Sequence, residues 1–285
     1  MAEDLMKYTR RNLSSRFAFS LSVTLQLIIL NVLAFIVFKI VLAFNPQALV
    51  YIALQPSNFF HGKYLWTLIT SMFMHAGLLH LFFNMFSLFF VGSFVERLIG
   101  GKRFIKFYLA SGLFAGLFFV SLSYFFGINL IGMKIFGDPS IAGVGASGAI
   151  YGLLGFLAII TPLAKVYLIV GPLIAIVIQA VLENFVKSAT LLTVLAIVIN
   201  IYILVSLFVL FSFKSKLRKI ALPVELPFWI LPMVAIVPLI IIGLFVALPI
   251  ANTAHLGGLI AGLIYGVYIR KKYKRKSALI SKYFS

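Results

Sequence analysis

The side chains that could carry out chemistry in this chain are few. The sequence has four His, six acidic residues and no Cys, which excludes disulfides, thiol nucleophiles and thiolate metal sites. Asp4 and Asp138 fall in different predicted loops, so they cannot share a proton as in an aspartyl hydrolase. His75 and His80 have no Glu nearby, and on a helix their side chains would diverge by about 140°, unlike a His-Glu-x-x-His zinc motif. We therefore expect no metal and no cofactor, and serine chemistry remains.

Ser147 stands at the start of a predicted membrane helix, directly after the glycine-rich turn 143–146. The first N–H groups of a helix lack intrahelical partners and can face a developing oxyanion. This position would therefore suit a nucleophile. Gly148 and Gly152, however, also form a small-residue face of the kind found wherever membrane helices pack. Taken alone, the segment favours packing over catalysis.

A histidine stands at the outer end of the last predicted helix. His255 lies three residues before Gly258, and Gly262 and Gly266 extend that face as a smooth stripe. A lone His at a helix end is usually an interfacial polar residue. If the stripe packs on the glycine face that follows Ser147, however, the imidazole comes beside the serine hydroxyl and can activate it. No acid is positioned behind the imidazole, so the pair would be a dyad.

His80 and Asn84 form a third polar feature, on the second predicted span. Their i, i+4 spacing places both side chains on one helix face. Polar groups inside a span usually face the bundle or a wet cavity. The pair could join helices through hydrogen bonds, or it could donate hydrogen bonds to a tetrahedral oxyanion, where each donor contributes roughly 2.7–4 kcal/mol.

Composition places these residues in a membrane protein. Hydrophobic residues make up 63% of the chain and charged residues 11%, against roughly 45–50% and about 25% in soluble domains. The formal net charge is +18, but most Lys and Arg form four clusters beside apolar runs, as the positive-inside rule predicts for cytoplasmic loops. Such clusters also attract anionic lipid headgroups, and no basic stripe remains for nucleic acid. The fold class that we predict is all-α, a polytopic membrane helical bundle.

Hydropathy predicts eight spans, judged against the roughly 20 residues that cross a bilayer. They fall at 17–38, 79–95, 107–126, 146–160, 166–182, 189–213, 228–248 and 254–269. An even number of spans places both termini on one side. Because both termini are basic, that side is predicted to be the cytoplasm, with the protein in a cell membrane. The candidate chemical residues then lie in the outer half.

Three motifs together resemble the rhomboid intramembrane serine proteases. They are Gly145-Ala-Ser147-Gly148, His80-x-x-x-Asn84-Met85 and Ala254-His255-x-x-Gly258-x-x-x-Gly262, and they occur in the order of that family. The resemblance implies that Ser147 is the nucleophile and His255 the general base. It also implies that His80, Asn84 and the Ser147 amide line an oxyanion hole. Tyr151 matches the position where the family stacks an aromatic ring on the catalytic His.

The resemblance also implies a domain organisation. Ser147 and His255 are farther apart in sequence than a six-helix core requires, so we predict an inserted helical hairpin. The single membrane domain would comprise a cytoplasmic basic tail at 1–16, a rhomboid-like core at 17–165 and 220–269, the inserted hairpin at 166–213, and a second cytoplasmic basic tail at 270–285. The semi-apolar stretch 65–77 would be the family's half-embedded outer loop. Many members have Trp-Arg in that loop, where this chain has Trp66 and Thr67.

The resulting functional hypothesis is an intramembrane serine endopeptidase. It would cleave transmembrane segments of single-span or other membrane proteins near the outer face, in contact with membrane lipids. Hydrolysis needs water that lipid excludes, so a pocket must open outward. The alternatives are a catalytically inactive rhomboid-like protein that binds client helices, and a transporter, for which midplane ion sites are expected. The sequence does not indicate the oligomeric state.

Overall fold

The fold is a helical bundle, as predicted. The computed structural model describes residues 21–210, 219–245 and 252–284. The helices are α1 Val23–Phe44, α2 Pro56–Phe60, α3 Thr67–Thr70, α4 Leu78–Ser87, α5 Ser93–Ile99, α6 Gly101–Phe126, α7 Leu130–Phe136, α8 Ser147–Ile160, α9 Val170–Phe185, α10 Ala189–Leu210, α11 Leu231–Phe245, α12 Asn252–Lys272 and α13 Lys274–Tyr283. The structure also has two strands, β1 Lys165–Ile169 and β2 Pro223–Pro227, and two 3-10 turns, Pro46–Tyr51 and Lys219–Ala221. A π-helical turn, Leu88–Gly92, joins α4 to α5.

Several described helices suit a membrane. The four that are long and apolar enough to cross one are Val23–Phe44, Leu78–Ile99, Gly101–Phe126 and Ala189–Ser206, and the shorter Ser147–Ile160 and Val170–Glu183 are also apolar. Large apolar side chains on α1 face outward, among them Leu33 at 55% exposed, which suits a lipid environment rather than water. The protein is therefore a multi-pass membrane protein.

A helix occupies each of the eight predicted spans within the described residues, but several bounds differ. The first helix ends at Phe44 rather than at 38, because Asn45 and Pro46 stop it: the Asn45 side chain accepts from Gln47 N and begins a 3-10 turn. Residues 1–20, 211–218 and 246–251 lie outside the described part. The predicted N-terminal tail therefore lies there, with the start of the first span and the ends of the spans at 189–213 and 228–248.

A two-stranded sheet replaces the start of the predicted span 166–182. β1 pairs antiparallel with β2, with Lys165 opposite Pro227 and Ile169 opposite Pro223, and α9 begins only at Val170. A short apolar run does not distinguish a strand from a helix by hydropathy, and the β-branched and aromatic residues of β1 favour a strand. The partner strand lies more than fifty residues away, so no local pattern indicated the pairing.

The middle of the bundle is formed by α8, α12 and α6. Nearly every residue of α8 is buried, including Leu153, Phe156 and Leu157, and Tyr108 of α6 is fully enclosed as well. A helix that is apolar on all sides must be surrounded by other helices or by lipid. Because α8 is enclosed by its neighbours, its first residue, Ser147, is held on a rigid element.

Glycines bring α8 and α12 into backbone contact. A methyl group added at Gly258 would overlap the carbonyl oxygen of Gly148, and one added at Gly262 would overlap that of Gly152. Only residues without a Cβ allow such an approach, as in other small-residue helix contacts. The pairing of Gly258 with Gly148 and of Gly262 with Gly152 makes the two helices parallel, so they begin at the same end of the bundle.

The N-terminus of α1 is fixed by Glu96 of α5. One carboxylate oxygen accepts from Val23 N at 2.8 Å, and the other accepts from Thr24 N at 2.9 Å and from Thr24 Oγ1 at 2.6 Å. A carboxylate at a helix N-terminus satisfies free N–H groups and complements the helix dipole. This contact joins α1 to the bundle at the end away from Ser147.

Candidate active site

The structure places Ser147 beside His255. Ser147 is the first residue of α8, His255 lies in the first turn of α12, and Ser147 Oγ is 2.8 Å from His255 Nε2. The parallel glycine contact described above produces this juxtaposition, since it aligns the beginnings of the two helices. His255 is buried, whereas Ser147 is half-buried and faces a cavity. This is a geometry in which an imidazole can accept the serine proton.

Tyr151 fixes the plane of the His255 ring. The two rings stack with centroids 4.3 Å apart and planes 14° apart. The Tyr151 hydroxyl donates to the carbonyl oxygen of Ala235 on α11 at 3.2 Å. The tyrosine is therefore held by its hydroxyl at one end and by α8 at the other, and it limits rotation of the imidazole.

The other imidazole nitrogen, His255 Nδ1, is buried and makes no hydrogen bond within the described residues. In a serine–histidine–aspartate triad, a carboxylate would accept a hydrogen bond from that nitrogen. The described geometry is thus that of a pair in which ring stacking, rather than an acid, orients the imidazole.

His80 also lies close to Ser147. A methyl group added at Gly145 would lie 2.9 Å from His80 Cε1 and Nε2 and 3.8 Å from Ser147 Oγ, so the histidine edge borders the serine. Gly145 has φ +124°, a conformation that favours glycine, and its N–H donates to the Ser71 carbonyl oxygen at 2.8 Å. Both the space and the backbone at position 145 therefore require glycine.

Hydrogen bonds from the backbone orient His80 and Asn84. The N–H of Ala76 points to His80 Nδ1 at 3.4 Å, a long hydrogen bond that makes Nδ1 the acceptor and leaves the proton on Nε2, the nitrogen beside Gly145. Asn84 Nδ2 donates to the His80 carbonyl oxygen at 2.8 Å, which uses one of its two N–H groups. Each side chain thus keeps one N–H group that can donate to a ligand.

These side chains line one cavity of about 390 Å³. Ser147, His255, His80 and Asn84 supply its polar groups, and its walls are mainly apolar. A concave apolar site with a few convergent polar groups is the usual form of a ligand site. The cavity brings together the four predicted polar side chains, and the predicted glycines at 145 and 148 also line it.

Two further side chains bear on the site without having been assigned to it from the sequence. Lys39, near the C-terminal end of α1, donates from Nζ to the Ala76 carbonyl oxygen at 3.0 Å. His75 is 1% exposed and contacts His80, with ring centroids 5.1 Å apart. His75 lies in the loop before α4, so the helical argument that separated the two rings does not apply. Burial, with a smaller effect of His80, lowers the pKa of His75 to about 4.

The predicted outer loop, 65–77, holds only the short helix α3 and turns. The Trp66 indole N–H donates to the Tyr51 carbonyl oxygen at 2.9 Å, and Thr70 Oγ1 donates to that of Ile52 at 2.8 Å. These bonds anchor the loop to the segment at Tyr51 and Ile52. The loop in turn supplies the Ser71 carbonyl that holds Gly145.

A comparison with known protein families matches most of the chain. The model of the family described as Rhomboid domain matches residues 62–203 and 202–272, which include Ser147 and His255. Rhomboid protease GluP of Bacillus subtilis (strain 168) is 34% identical over 113 residues, covering 40% of this chain and 19% of that protein.

Two plant proteins are also similar to this chain. RHOMBOID-like protein 12, mitochondrial, of Arabidopsis thaliana is 33% identical over 150 residues, covering 51% of this chain and 44% of that protein. Inactive RHOMBOID-like protein 8 of the same organism is 35% identical over 101 residues, covering 35% of this chain and 24% of that protein. The matched regions span less than half the length of each of these relatives.

Proposed function

The chain belongs to the rhomboid family, and from that premise we propose that it is an intramembrane serine endopeptidase that cleaves transmembrane segments of other membrane proteins. The observation that carries the proposal is the 2.8 Å contact between Ser147 Oγ and His255 Nε2 inside a cavity that also presents two hydrogen-bond donors. A serine hydroxyl is a poor nucleophile at neutral pH unless a base accepts its proton. The buried imidazole is in position to do so.

In the proposed reaction, Ser147 Oγ attacks the scissile carbonyl carbon while its proton passes to His255 Nε2. The carbonyl oxygen becomes an oxyanion, which accepts hydrogen bonds from His80 Nε2–H, the Asn84 amide and the Ser147 backbone N–H. That backbone N–H begins α8, so no intrahelical acceptor competes for it. Donors fixed in advance around a developing charge are a major source of catalysis.

The second half of the reaction regenerates the enzyme. His255 gives the proton to the leaving amine as the peptide C–N bond breaks, which leaves an ester between the substrate acyl group and Ser147. Water then attacks this ester while His255 accepts its proton. The C–O bond to Ser147 breaks, the serine oxygen takes the proton back from His255, and the acid product leaves. Tyr151 keeps the imidazole in the same orientation through both steps by its 4.3 Å ring stack.

Gly148, Gly258 and Gly262 are supporting residues in this proposal. They do not touch the substrate's reacting bond, but they allow the close approach of α8 and α12 that sets the Ser147–His255 distance. Gly145 leaves room for the His80 ring. Adding a side chain at any of these glycines should therefore affect turnover more than substrate binding.

We also propose that the site faces the outside of the cell membrane, with both termini in the cytoplasm. The support is the charge distribution, since the described basic residues in 97–106 and 270–282 lie at the ends of helices away from Ser147. The chain has no native Cys, so single Cys labelling is a direct test. A Cys at the exposed Phe185 should react from outside and a Cys at the exposed Lys272 only from the cytoplasm; labelling of both from one side would reject this orientation.

A catalytically inactive protein that binds client helices is the second candidate. The observation that favours it is the 35% identity with a relative named Inactive RHOMBOID-like protein 8. A binder has no need of a serine and an imidazole in hydrogen-bond contact, or of further hydrogen-bond donors in the same cavity. The presence of this complete set supports the protease over the binder.

Incubation with single-span membrane proteins tests the proposed activity. The purified full chain is reconstituted in liposomes with a panel of such substrates, and the products are mapped by mass spectrometry. The protease should yield fragments cut within or beside the membrane segment, and Ser147→Ala should yield none. If both the wild type and the variant bind the substrate and neither cleaves it, the protease proposal is rejected in favour of the binding protein.

A further inference from the structure

A second cavity, of about 430 Å³, lies at the end of the bundle away from Ser147. Its lining comes from the end of α8 and the turn after it, from the last turn of α12, and from α13: Ile160, Leu163, Arg270, Lys274, Ser277, Ala278, Ser281 and Lys282. Arg270 follows His255 by fifteen residues on one helix, which is about 22 Å of rise. The cavity is therefore separate from the candidate active site.

The polar lining of this cavity is basic and hydroxylic. Arg270, Lys274 and Lys282 are cationic, and no acidic residue within the described part of the chain lines it. The Ser277 hydroxyl already donates to the Tyr273 carbonyl oxygen at 3.0 Å, so the site depends on the donors of Arg270 and Lys274. Two of the described acids are engaged with other partners: Glu96 accepts hydrogen bonds at the start of α1, and Glu225 pairs with Lys165 at 3.4 Å. Such a set of donors suits an anion that carries several oxygen acceptors, such as a phosphate.

The same cavity has an apolar side. Ile160 is buried and Leu163 is 53% exposed, so one wall offers hydrocarbon next to the cations. The helix on the other side is fixed, because Phe284 packs edge-on against Phe94 with centroids 5.2 Å apart and Ser277 is buried. A free inorganic anion would use only the charged wall, whereas a phospholipid would use both.

From these features we infer that the cavity binds the phosphate headgroup of an anionic phospholipid, with the upper part of an acyl chain against Leu163. A basic pocket between helix ends at the membrane surface is a recurrent form of lipid headgroup site. Phosphatidylcholine has no net charge, so we expect it to bind this basic cavity more weakly than an anionic lipid does. The inference does not depend on catalysis.

Native mass spectrometry of the full chain in detergent provides the test. The probes are short-chain phosphatidylglycerol, phosphatidylcholine with the same acyl chains, and inorganic phosphate. The wild type should retain one phosphatidylglycerol in preference to phosphatidylcholine. Arg270→Gln/Lys274→Gln should weaken its binding by about 25-fold, since each basic side chain near an anionic surface contributes about fivefold in affinity.

The matched control is Arg275→Gln/Lys276→Gln, which removes the same charge from exposed positions of α13 that do not line the cavity. It should change the affinity by less than twofold. Equal losses in both double variants, equal retention of the two lipids, or displacement of the lipid by an equal concentration of inorganic phosphate would each overturn the inference. If the double variant unfolds, Lys274→Gln alone, at an exposed position, should still show a fivefold loss, and unchanged affinity in that variant would reject the site.

Discussion

Replacing Gly258 by Ala should separate the two helices that hold the candidate dyad. The added methyl would overlap the Gly148 carbonyl oxygen and lie 3.3 Å from Gly152 N. Carbon atoms in ordinary contact lie about 3.5–4 Å apart, so the backbones must move apart by about 1 Å or more. The present 2.8 Å between Ser147 Oγ and His255 Nε2 would approach about 3.8 Å, which is beyond hydrogen-bond range.

The expected consequence is a large loss of turnover in a folded protein. A misplacement of about 1 Å can cost about a hundredfold in rate, or about 2.7 kcal/mol of activation free energy. Overpacking of this kind costs about 1–3 kcal/mol of stability, so the thermal unfolding midpoint should fall without loss of the fold. The assay is cleavage of a single-span substrate in liposomes, with kcat and KM measured separately.

Gly77→Ala is the matched control for this substitution. A methyl group at Gly77 meets no atom within 4 Å, and its φ of −155° is open to any residue. This variant should retain wild-type turnover. A folded Gly258→Ala protein with wild-type kcat would refute the argument that the glycine contact sets the distance between the serine and the histidine.

Three further predictions concern the surroundings of the site. Tyr151→Leu should reduce kcat by about tenfold or more with little change in KM, because the His255 ring loses its stacking partner; Tyr151→Phe, which keeps the ring, should retain most of the turnover, and equal losses in both would contradict this role. Lys39→Met should lower kcat severalfold with KM unchanged, because the carbonyl oxygen of Ala76 loses its 3.0 Å hydrogen bond. Lys39→Arg, which can donate to the same oxygen, should keep kcat near the wild-type value, and a low kcat in that variant would argue against an orienting role. Burial lowers the pKa of His75 to about 4, against 6.5 in the unfolded chain. Between these values the folded protein binds fewer protons than the unfolded chain, so its stability should fall as the pH drops from about 6.5 to about 4. Thermal unfolding of His75→Asn should depend less on pH over that range, and an unchanged dependence would contradict the assignment.

Much of the fold could be predicted from the sequence because a membrane protein exposes its organisation through hydropathy. Apolar runs of span length located helices such as α1 and α6, and the basic cluster at 97–106, which lies between two such runs, is read from the sequence alone. The bounds were less accurate where a helix ends for a local reason, as α1 does at Asn45 and Pro46. The β1–β2 pair could not be predicted, since strand pairing joins segments that carry no mutual signal.

The candidate site could be predicted because two patterns constrained each other. Neither Ser147 nor His255 is informative alone, but each precedes a glycine stripe, and stripes of that kind pack together. The contacts of Lys39 and His75 could not be inferred in this way. They depend on the path of the loop between α3 and α4, which places a carbonyl within reach of Lys39 and one imidazole against another, and no periodicity encodes that path.

Covalent labelling with a fluorophosphonate tests the central claim most directly, because the reagent reacts with a serine only when its hydroxyl is activated. The full chain is labelled in liposomes, digested, and the modified residue is located by mass spectrometry. The account predicts a single phosphonyl adduct on Ser147, with labelling lost in a folded His255→Ala variant. An unlabelled wild-type protein, or an adduct on Ser147 that forms as fast without His255, would contradict the assignment of these two residues as nucleophile and base.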